Sequence, residues 1–144
     1  MNNPMTTLSV LLQCAAAAQI GVAILNLFLV RLMKWEPDLA RMSLLVREVF
    51  QVHAWFISVT LAIFGALTLR FATEMASAGS PLAKWLCAGI GAFWAIRTVL
   101  QVTYYSSSHW RGQLGRTTAH VALLLCYGGT SVVYWWAGFH GGRL

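Results

Sequence analysis

Four long apolar segments constrain the fold of this chain more than any other feature of its sequence. They cover about residues 7–33, 46–71, 82–105 and 117–139. Each exceeds the ~20 residues that an α-helix needs to cross the hydrocarbon layer of a bilayer. Hydrophobic residues make up 58% of the chain and charged residues only 10%, against about 45–50% and about 25% in soluble domains. We therefore predict an all-α integral membrane protein, with one transmembrane domain of four spans over residues 1–144.

The connections between the segments are short, which predicts a four-helix bundle with antiparallel, up-down spans. The positive side chains are divided unequally between the two ends of the spans. Six lie at the connections 34–46 and 106–116 and three lie at the opposite end: Arg31, Lys34, Arg41, Arg47, Arg111 and Arg116, against Arg70, Lys84 and Arg143. Because cytoplasmic loops carry an excess of positive charge, we predict that both connections are cytoplasmic and both termini periplasmic, in a bacterial inner membrane.

The remaining composition excludes two classes of protein. The net charge of +6 comes from single basic residues at the ends of apolar segments, so there is no basic run or helix face for nucleic acid. The three cysteines, Cys14, Cys87 and Cys126, lie inside apolar segments without the spacing of a metal site. The partners that we predict are the lipid bilayer and, within it, a homo-oligomer or a larger membrane complex.

Small and amide residues on the first segment predict a helix–helix interface. Gln19 and Asn26 are seven residues apart and therefore lie on one helix face. The small residues Ala15, Ala16 and Ala23 share that face. Small residues mixed with amides are typical of helix packing in lipid, so we expect this face to be buried against a neighbouring helix.

Five polar side chains from different segments are predicted to reach one layer near the cytoplasmic end of the spans. A rise of about 1.5 Å per residue places them roughly 6–12 Å inside the flanking interface residues. They are Asn26, His53, Arg97, Gln101 and His120. An arginine inside an apolar span is expensive and is by default a functional-site hypothesis. We therefore predict a polar intramembrane site that binds a redox cofactor or an amphipathic small ligand, with Arg47 at its cytoplasmic edge.

Helical periodicity supports an inward orientation of this layer. Arg97, Gln101 and Tyr104 form an i, i+4, i+7 stripe on the third segment. On the fourth segment a second stripe recurs every seven residues, at His120, Tyr127 and Tyr134. On the second segment, the face of His53 carries Ile57, Thr60 and Phe64. We expect the three stripes to line a cavity.

One interpretation of this site is a b-type haem. Two histidines from different membrane helices, His53 and His120, are the minimum for bis-imidazole ligation of the haem iron. Arginines near the cytoplasmic surface, Arg47, Arg97 and Arg111, would pair with the propionates. This interpretation predicts a protein with visible absorbance.

A second interpretation rests on a family resemblance. The stretch VREVFQVHAWF, followed by AIRTVLQVTYY and a basic loop, resembles the MAPEG family of four-helix membrane proteins, which includes microsomal glutathione transferases and leukotriene synthases. The resemblance covers residues 41–57 and 93–116, and Trp55 and Ile57 stand where the family pattern has Asn and Glu. It implies a homotrimer with glutathione as substrate near Arg47, Arg97 and Tyr104. An arginine would there stabilise the thiolate.

A third interpretation is a non-catalytic accessory subunit of a membrane complex, or a module that binds a lipid or a quinone. Glu36, Asp38, Glu48 and Glu74 are the only acidic residues, and three of them lie in or beside one connection. That pattern does not form the carboxylate pair of a hydrolase. The sequence assigns no reaction and no catalytic residue, and the three interpretations remain open.

Overall fold

The structure is a computed structural model that describes residues 4–104 and 114–141, without the side chains of Leu114 and Arg116. The described residues form five helices and no strand: α1 Pro4–Leu32, α2 Glu36–Ala40, α3 Leu44–Ser77, α4 Pro81–Thr103 and α5 Leu114–His140. Among them, α1, α3, α4 and α5 are long and apolar enough to cross a membrane. The prediction of an all-α protein is confirmed, and the four apolar helices support an integral membrane protein.

The helix bounds differ most from the predicted spans at the end of α3. Residues 72–77, which the polar sequence ATEMAS predicts as part of a loop, continue α3 to Ser77. Ala72, Met75 and Ala76 are fully buried there, and their i, i+3, i+4 spacing gives this short stretch one packed face. Packing therefore overrides the polar composition. Of the predicted loop 106–116, residues 106–113 lie outside the described residues, and residues 114–116 belong to the first turn of α5.

Local backbone signals explain where α1 ends and α4 begins. Lys34 adopts a left-handed conformation with φ of 54°. Its N–H donates to Arg31 O, and the next N–H, of Trp35, donates to Val30 O, which together form a Schellman C-cap. At α4, the extended Ser80 accepts the N–H of Ala83 at 3.1 Å through its hydroxyl, as an N-cap does.

The described residues group into two compact units. The α1/α3 unit is Ala16–Arg70, and the α4/α5 unit contains the described residues up to Ala15 and those from Phe71 onward. The division in α3 falls at a kink, where Phe71 has φ −116° and ψ 19°. Three residues earlier the Thr68 hydroxyl donates to Phe64 O at 2.8 Å, and such bonds to the preceding turn bend helices.

In the α1/α3 unit the two helices run antiparallel and approach closely. An added Cβ on Gly65 would lie 2.6 Å from Ile20 Cγ1 and 3.1 Å from Ala16 O. The Asn26 amide donates to Ala54 O at 2.8 Å and to Ser58 Oγ at 2.9 Å. Gln19, Ala16 and Ala23 on the predicted face are buried. The prediction that this face of the first segment packs is therefore confirmed.

In the α4/α5 unit the two helices also run antiparallel and pack along their length. Near their middle, Ser131 donates to Gly91 O at 3.0 Å, and Trp135 covers the same glycine at 3.2 Å from an added Cβ. A side chain at Gly91 would separate the helices, so the small residue permits the hydrogen bond. This contact leaves the polar residues of α4 beside the first turns of α5.

Candidate intramembrane polar site

The residues predicted for one site are distributed over both units. Asn26, His53 and Arg47 belong to the α1/α3 unit. Arg97, Gln101 and His120 belong to the α4/α5 unit, where Gln101 contacts His120 and Arg97 contacts Tyr127. That all of these residues share one layer stays a prediction.

Gln101 and His120 form the centre of the α4/α5 group. The Gln101 side chain is 4% exposed, and its Nε2 lies 2.9 Å from His120 Nδ1. An amide nitrogen only donates, so Nδ1 accepts and the neutral imidazole carries its hydrogen on Nε2. The other amide atom, Gln101 Oε1, is buried and has no hydrogen-bond partner within residues 4–104 and 114–141.

This orientation of the amide is the less costly of the two. If it were reversed, Oε1 would accept from Nδ1–H, and the NH₂ group with its two hydrogens would occupy the buried position. A buried unpaired N–H is rarer and more costly than a carbonyl-type oxygen that lacks a partner. The Gln101–His120 pair therefore leaves the acceptor Oε1 without a partner. Iron ligation through Nε2 of His120 would move the ring hydrogen to Nδ1, and the Gln101 amide would have to turn to accept it.

An aromatic stack lies one turn away from this pair. The Arg97 guanidinium carbon lies 5.1 Å from the centre of the Tyr127 ring, in the range of a cation–π contact. Tyr127 in turn stacks on Trp94 at 5.1 Å with an interplanar angle of 30°. The sequence places Arg97 and Tyr127 on inward stripes, but the stack with Trp94 was not predicted. The signal for it is the i, i+3, i+7 spacing of Trp94, Arg97 and Gln101.

Two predicted members of the stripes differ in exposure. Tyr134 is fully buried, which agrees with the seven-residue stripe on α5. Tyr104 is 82% exposed and caps the end of α4. It therefore lies at the end of the helix rather than in the packed polar group.

An open groove of about 390 Å³ lies on α5 near the same end of the unit. It is lined by Thr117, Thr118, Val121, Ala122 and Leu125. Its residues Val121, Ala122 and Leu125 lie on the exposed face of α5. At about 100° per residue, this face is opposite the one that carries His120 and Tyr127. The groove is therefore separate from the Gln101–His120 pair.

On the α1/α3 unit, the Asn26 amide donates hydrogen bonds to α3, whereas the His53 side chain is exposed. His53 Nδ1 lies 2.8 Å from the carbonyl of Val49 in the preceding turn. The carbonyl only accepts, so Nδ1 carries the hydrogen and Nε2 holds the lone pair. Arg47 is half-buried, one turn before Gln51.

The buried face of α3 is displaced by one residue from the predicted stripe. Ser58, Leu61, Gly65 and Thr68 are buried, whereas Ile57 on the predicted stripe is 48% exposed. One residue corresponds to a rotation of about 100° around a helix. The His53 stripe therefore lies beside the face that packs against α1, and the expectation that it lines a cavity stays a prediction.

Comparisons give no further guide to this site. Within the described residues no group of three or more His, Cys, Asp and Glu side chains is placed to hold a metal ion. No protein-family model, curated protein or solved structure matches the chain. The resemblance to the MAPEG family, with glutathione near Arg47 and Arg97, stays a prediction.

Proposed function

We propose that the chain is an integral membrane protein that binds an amphipathic small ligand at the α4/α5 pair. The polar group of the ligand meets Gln101 beside His120. The observation that carries this proposal is the buried Gln101 Oε1, which has no hydrogen-bond partner in the described part of the chain. A ligand that supplies a partner would remove the cost of leaving that atom unpaired.

The cost supports a binding role over a purely structural one. A buried polar atom without a partner costs about 1–3 kcal/mol. A leucine of similar size at Gln101 would avoid it while filling the same space. Arg97, at i−4 from Gln101 and half-buried against Tyr127, adds a second polar group on the same helix face. Two costly groups on one face of an apolar helix are typical of a functional site.

The proposal includes a membrane topology. The four long helices cross a bacterial inner membrane as an antiparallel bundle, with residues 34–46 on the cytoplasmic side. The short α2, with acidic residues in its first turn, then lies at the cytoplasmic surface. The turn at Gly79 between α3 and α4 lies at the periplasmic surface, together with both termini.

Cysteine labelling tests this topology in intact bacterial cells. In a variant without the native cysteines, Gly79→Cys is expected to react with a membrane-impermeant maleimide. Asp38→Cys is expected to react only after permeabilisation, because the cytoplasm is closed to the reagent. Both positions are exposed, so accessibility within the protein does not separate them. Labelling of both cysteines in intact cells contradicts the topology.

The effect of Gln101→Leu on a bound ligand tests the site. Native mass spectrometry of the wild-type protein released from its membrane is expected to show an added small-molecule mass. Gln101→Leu removes the acceptor and is expected to reduce the occupancy about tenfold, as the loss of about 1.4 kcal/mol implies. The bound species is then identified from its mass.

Gln51→Leu is the matched control for this experiment. It makes the same substitution at an exposed glutamine of α3, and it is expected to retain the bound mass. Thermal unfolding of both variants separates loss of binding from loss of folding. Equal occupancy in Gln101→Leu and the wild type would overturn the proposed site.

A b-type haem is a second candidate ligand, favoured by the geometry of His53. Its Nδ1 is held by the Val49 carbonyl, and this hydrogen bond leaves Nε2 as the nitrogen with the lone pair. Metal-binding histidines commonly have this arrangement. His53 would then be an axial ligand of haem iron, with Arg47 near the propionates.

The visible spectrum of the purified protein tests the haem candidate. A stoichiometric Soret band is expected in the wild type and is expected to shift or disappear in His53→Ala. His140→Ala replaces an exposed histidine at the end of α5 and is expected to keep the band. A colourless wild-type protein from haem-supplemented cells would exclude this candidate and leave the α4/α5 site unaffected.

A further inference from the structure

We infer that a groove between α4 and α5, at the Lys84 end of these helices, binds a membrane phospholipid with a net negative head group. The Lys84 ammonium pairs with the lipid phosphate, and an acyl chain lies between aromatic side chains of the two helices. Lys84 and Gln101 are far apart, about 25 Å along α4 at a rise of ~1.5 Å per residue. This second site therefore goes beyond the proposed function and does not depend on it.

The groove lies beside the line along which α4 and α5 touch. Its volume is about 470 Å³, within the range of about 300–1,000 Å³ that is usual for small-molecule sites. The smallest residues that line it on the two helices are Ala88 and Gly138. A Cβ added to Gly138 would lie 3.3 Å from Cys87 Cβ and 4.0 Å from Ala88 N. Because the helices are in contact there, these small residues form the floor of the groove.

Aromatic side chains line the groove on both helices. On α5, the rings of Trp135 and Phe139 stack with centres 5.2 Å apart and an interplanar angle of 12°. On α4, Trp85 lines the same groove and is three residues before Ala88, so both lie on one helix face. Flat rings above a floor of small residues suit an acyl chain, which has no polar atoms to satisfy.

The charge at the groove comes from Lys84. Among the described residues that line the groove, it alone carries a formal charge. It is exposed and forms no ion pair with any residue that the structure describes. Glu74, the acidic residue nearest to it along the chain, does not line the groove. A lysine at a membrane surface attracts anionic lipid head groups, so the charge of the groove favours a phosphate.

The Ser80 hydroxyl adds a hydrogen-bond donor beside Lys84. Ser80 also lines the groove, and its carbonyl accepts the Lys84 N–H at 3.2 Å. Its hydroxyl oxygen accepts the N–H of Ala83 at 3.1 Å, which leaves the hydroxyl hydrogen to be donated. No acceptor for that hydrogen lies in the described ranges of the chain. A phosphate oxygen accepts from both the hydroxyl and the ammonium, whereas an ammonium head group accepts from neither.

The lining also distinguishes between phospholipid head groups. The ammonium of phosphatidylethanolamine would be repelled by Lys84 and would meet no carboxylate among the described lining residues. The quaternary ammonium of phosphatidylcholine would need aromatic faces that converge on it. The parallel rings of Trp135 and Phe139 do not converge. Phosphatidylglycerol carries the phosphate charge without a cation of its own, and it is the head group that we expect to bind most tightly.

The test compares four lipids that carry the same dioleoyl chains. Phosphatidylglycerol, phosphatidylethanolamine, phosphatidylcholine and diacylglycerol are titrated separately into the full chain in maltoside micelles. Native mass spectrometry measures the fraction of protein with one bound lipid. Phosphatidylglycerol is expected to bind about fivefold more tightly than each of the others, the factor that one lysine near a membrane surface supplies.

Two lysine variants locate this preference. Lys84→Gln is expected to bring phosphatidylglycerol and phosphatidylethanolamine to the same affinity. Lys34→Gln makes the same substitution and the same change in net charge at an exposed lysine beyond the end of α1, and it is expected to keep the preference. Both lysines are exposed, so neither substitution disturbs the packed residues.

Ala88→Leu tests the groove without changing the charge. The added side chain fills the space above the floor, and it is expected to weaken the binding of phosphatidylglycerol at least fivefold. Gln101→Leu, at the other end of α4, is expected to keep the preference for phosphatidylglycerol. Failure of this site is thereby distinguished from failure of the proposed function.

Three outcomes would overturn the inference. Equal binding of phosphatidylglycerol and phosphatidylethanolamine by the wild type would show that the head group is not recognised. Tightest binding of phosphatidylcholine would show a site for a quaternary ammonium in place of an anion. An equal loss of preference in Lys84→Gln and Lys34→Gln would assign it to the overall charge of the protein and not to the groove.

Discussion

Replacing Trp94 by alanine is expected to lower the free energy of unfolding by about 3 kcal/mol, near the lower end of the cost of removing a buried tryptophan. Trp94 is 1% exposed and stacks on Tyr127 with ring centres 5.1 Å apart. In lipid the transfer of an apolar side chain contributes little. The expected loss therefore comes from the void and from the contacts that Tyr127 and its neighbours no longer make.

Trp85→Ala is the matched control for this substitution. Trp85 lies on the same helix but is 77% exposed, so its removal leaves no internal void. Its expected effect is below about 0.5 kcal/mol, as for most surface substitutions. Unfolding of both variants in micelles, followed by circular dichroism, gives the comparison. Similar losses for Trp94 and Trp85 would contradict the packing at the α4/α5 pair.

Substitutions of two glycines in the α1/α3 unit are expected to have opposite signs. Gly65→Ala introduces a Cβ 2.6 Å from Ile20 Cγ1 and 3.1 Å from Ala16 O. Relief requires the helices to separate or Ile20 to leave its rotamer, which we expect to cost about 1–3 kcal/mol. Gly21→Ala meets nothing within 4 Å, and the higher helix propensity of alanine is expected to stabilise α1 by up to about 1 kcal/mol.

The opposite signs make this pair informative. Both substitutions add one methyl group to a long apolar helix, so differences in expression or insertion largely cancel. The measurement is the unfolding midpoint of the two variants in the same micelle. Stabilisation by Gly65→Ala would contradict the close approach of α1 and α3 around that residue.

The helices could be predicted from the sequence because an apolar run of bilayer length is a signal that does not depend on distant contacts. Residues 72–77 are the exception. Their sequence is locally polar, and they are helical because Ala72, Met75 and Ala76 are buried. That burial depends on residues far away in the chain, which a local pattern does not contain.

Part of the site could also be predicted, because spacing within one helix does not depend on distant contacts. The i, i+4 spacing of Arg97 and Gln101 and the seven-residue stripe from His120 identify faces of single helices. The Gln101–His120 bond and the Trp94–Tyr127 stack also need the register between α4 and α5, which periodicity within one helix does not supply. On α3 the small residues Ser58 and Gly65 mark the face that packs against α1.

The two hydrogen bonds of Asn26 have a consequence for how the chain is assembled during biosynthesis. The amide donates to Ala54 O and Ser58 Oγ at once, so a slip of α1 along α3 by one turn would break both bonds. Before α3 emerges from the ribosome, the same amide would face hydrocarbon without a partner, which is costly. We therefore expect α1 to be retained at the translocon until α3 arrives, and to leave it as a pair with its register already set.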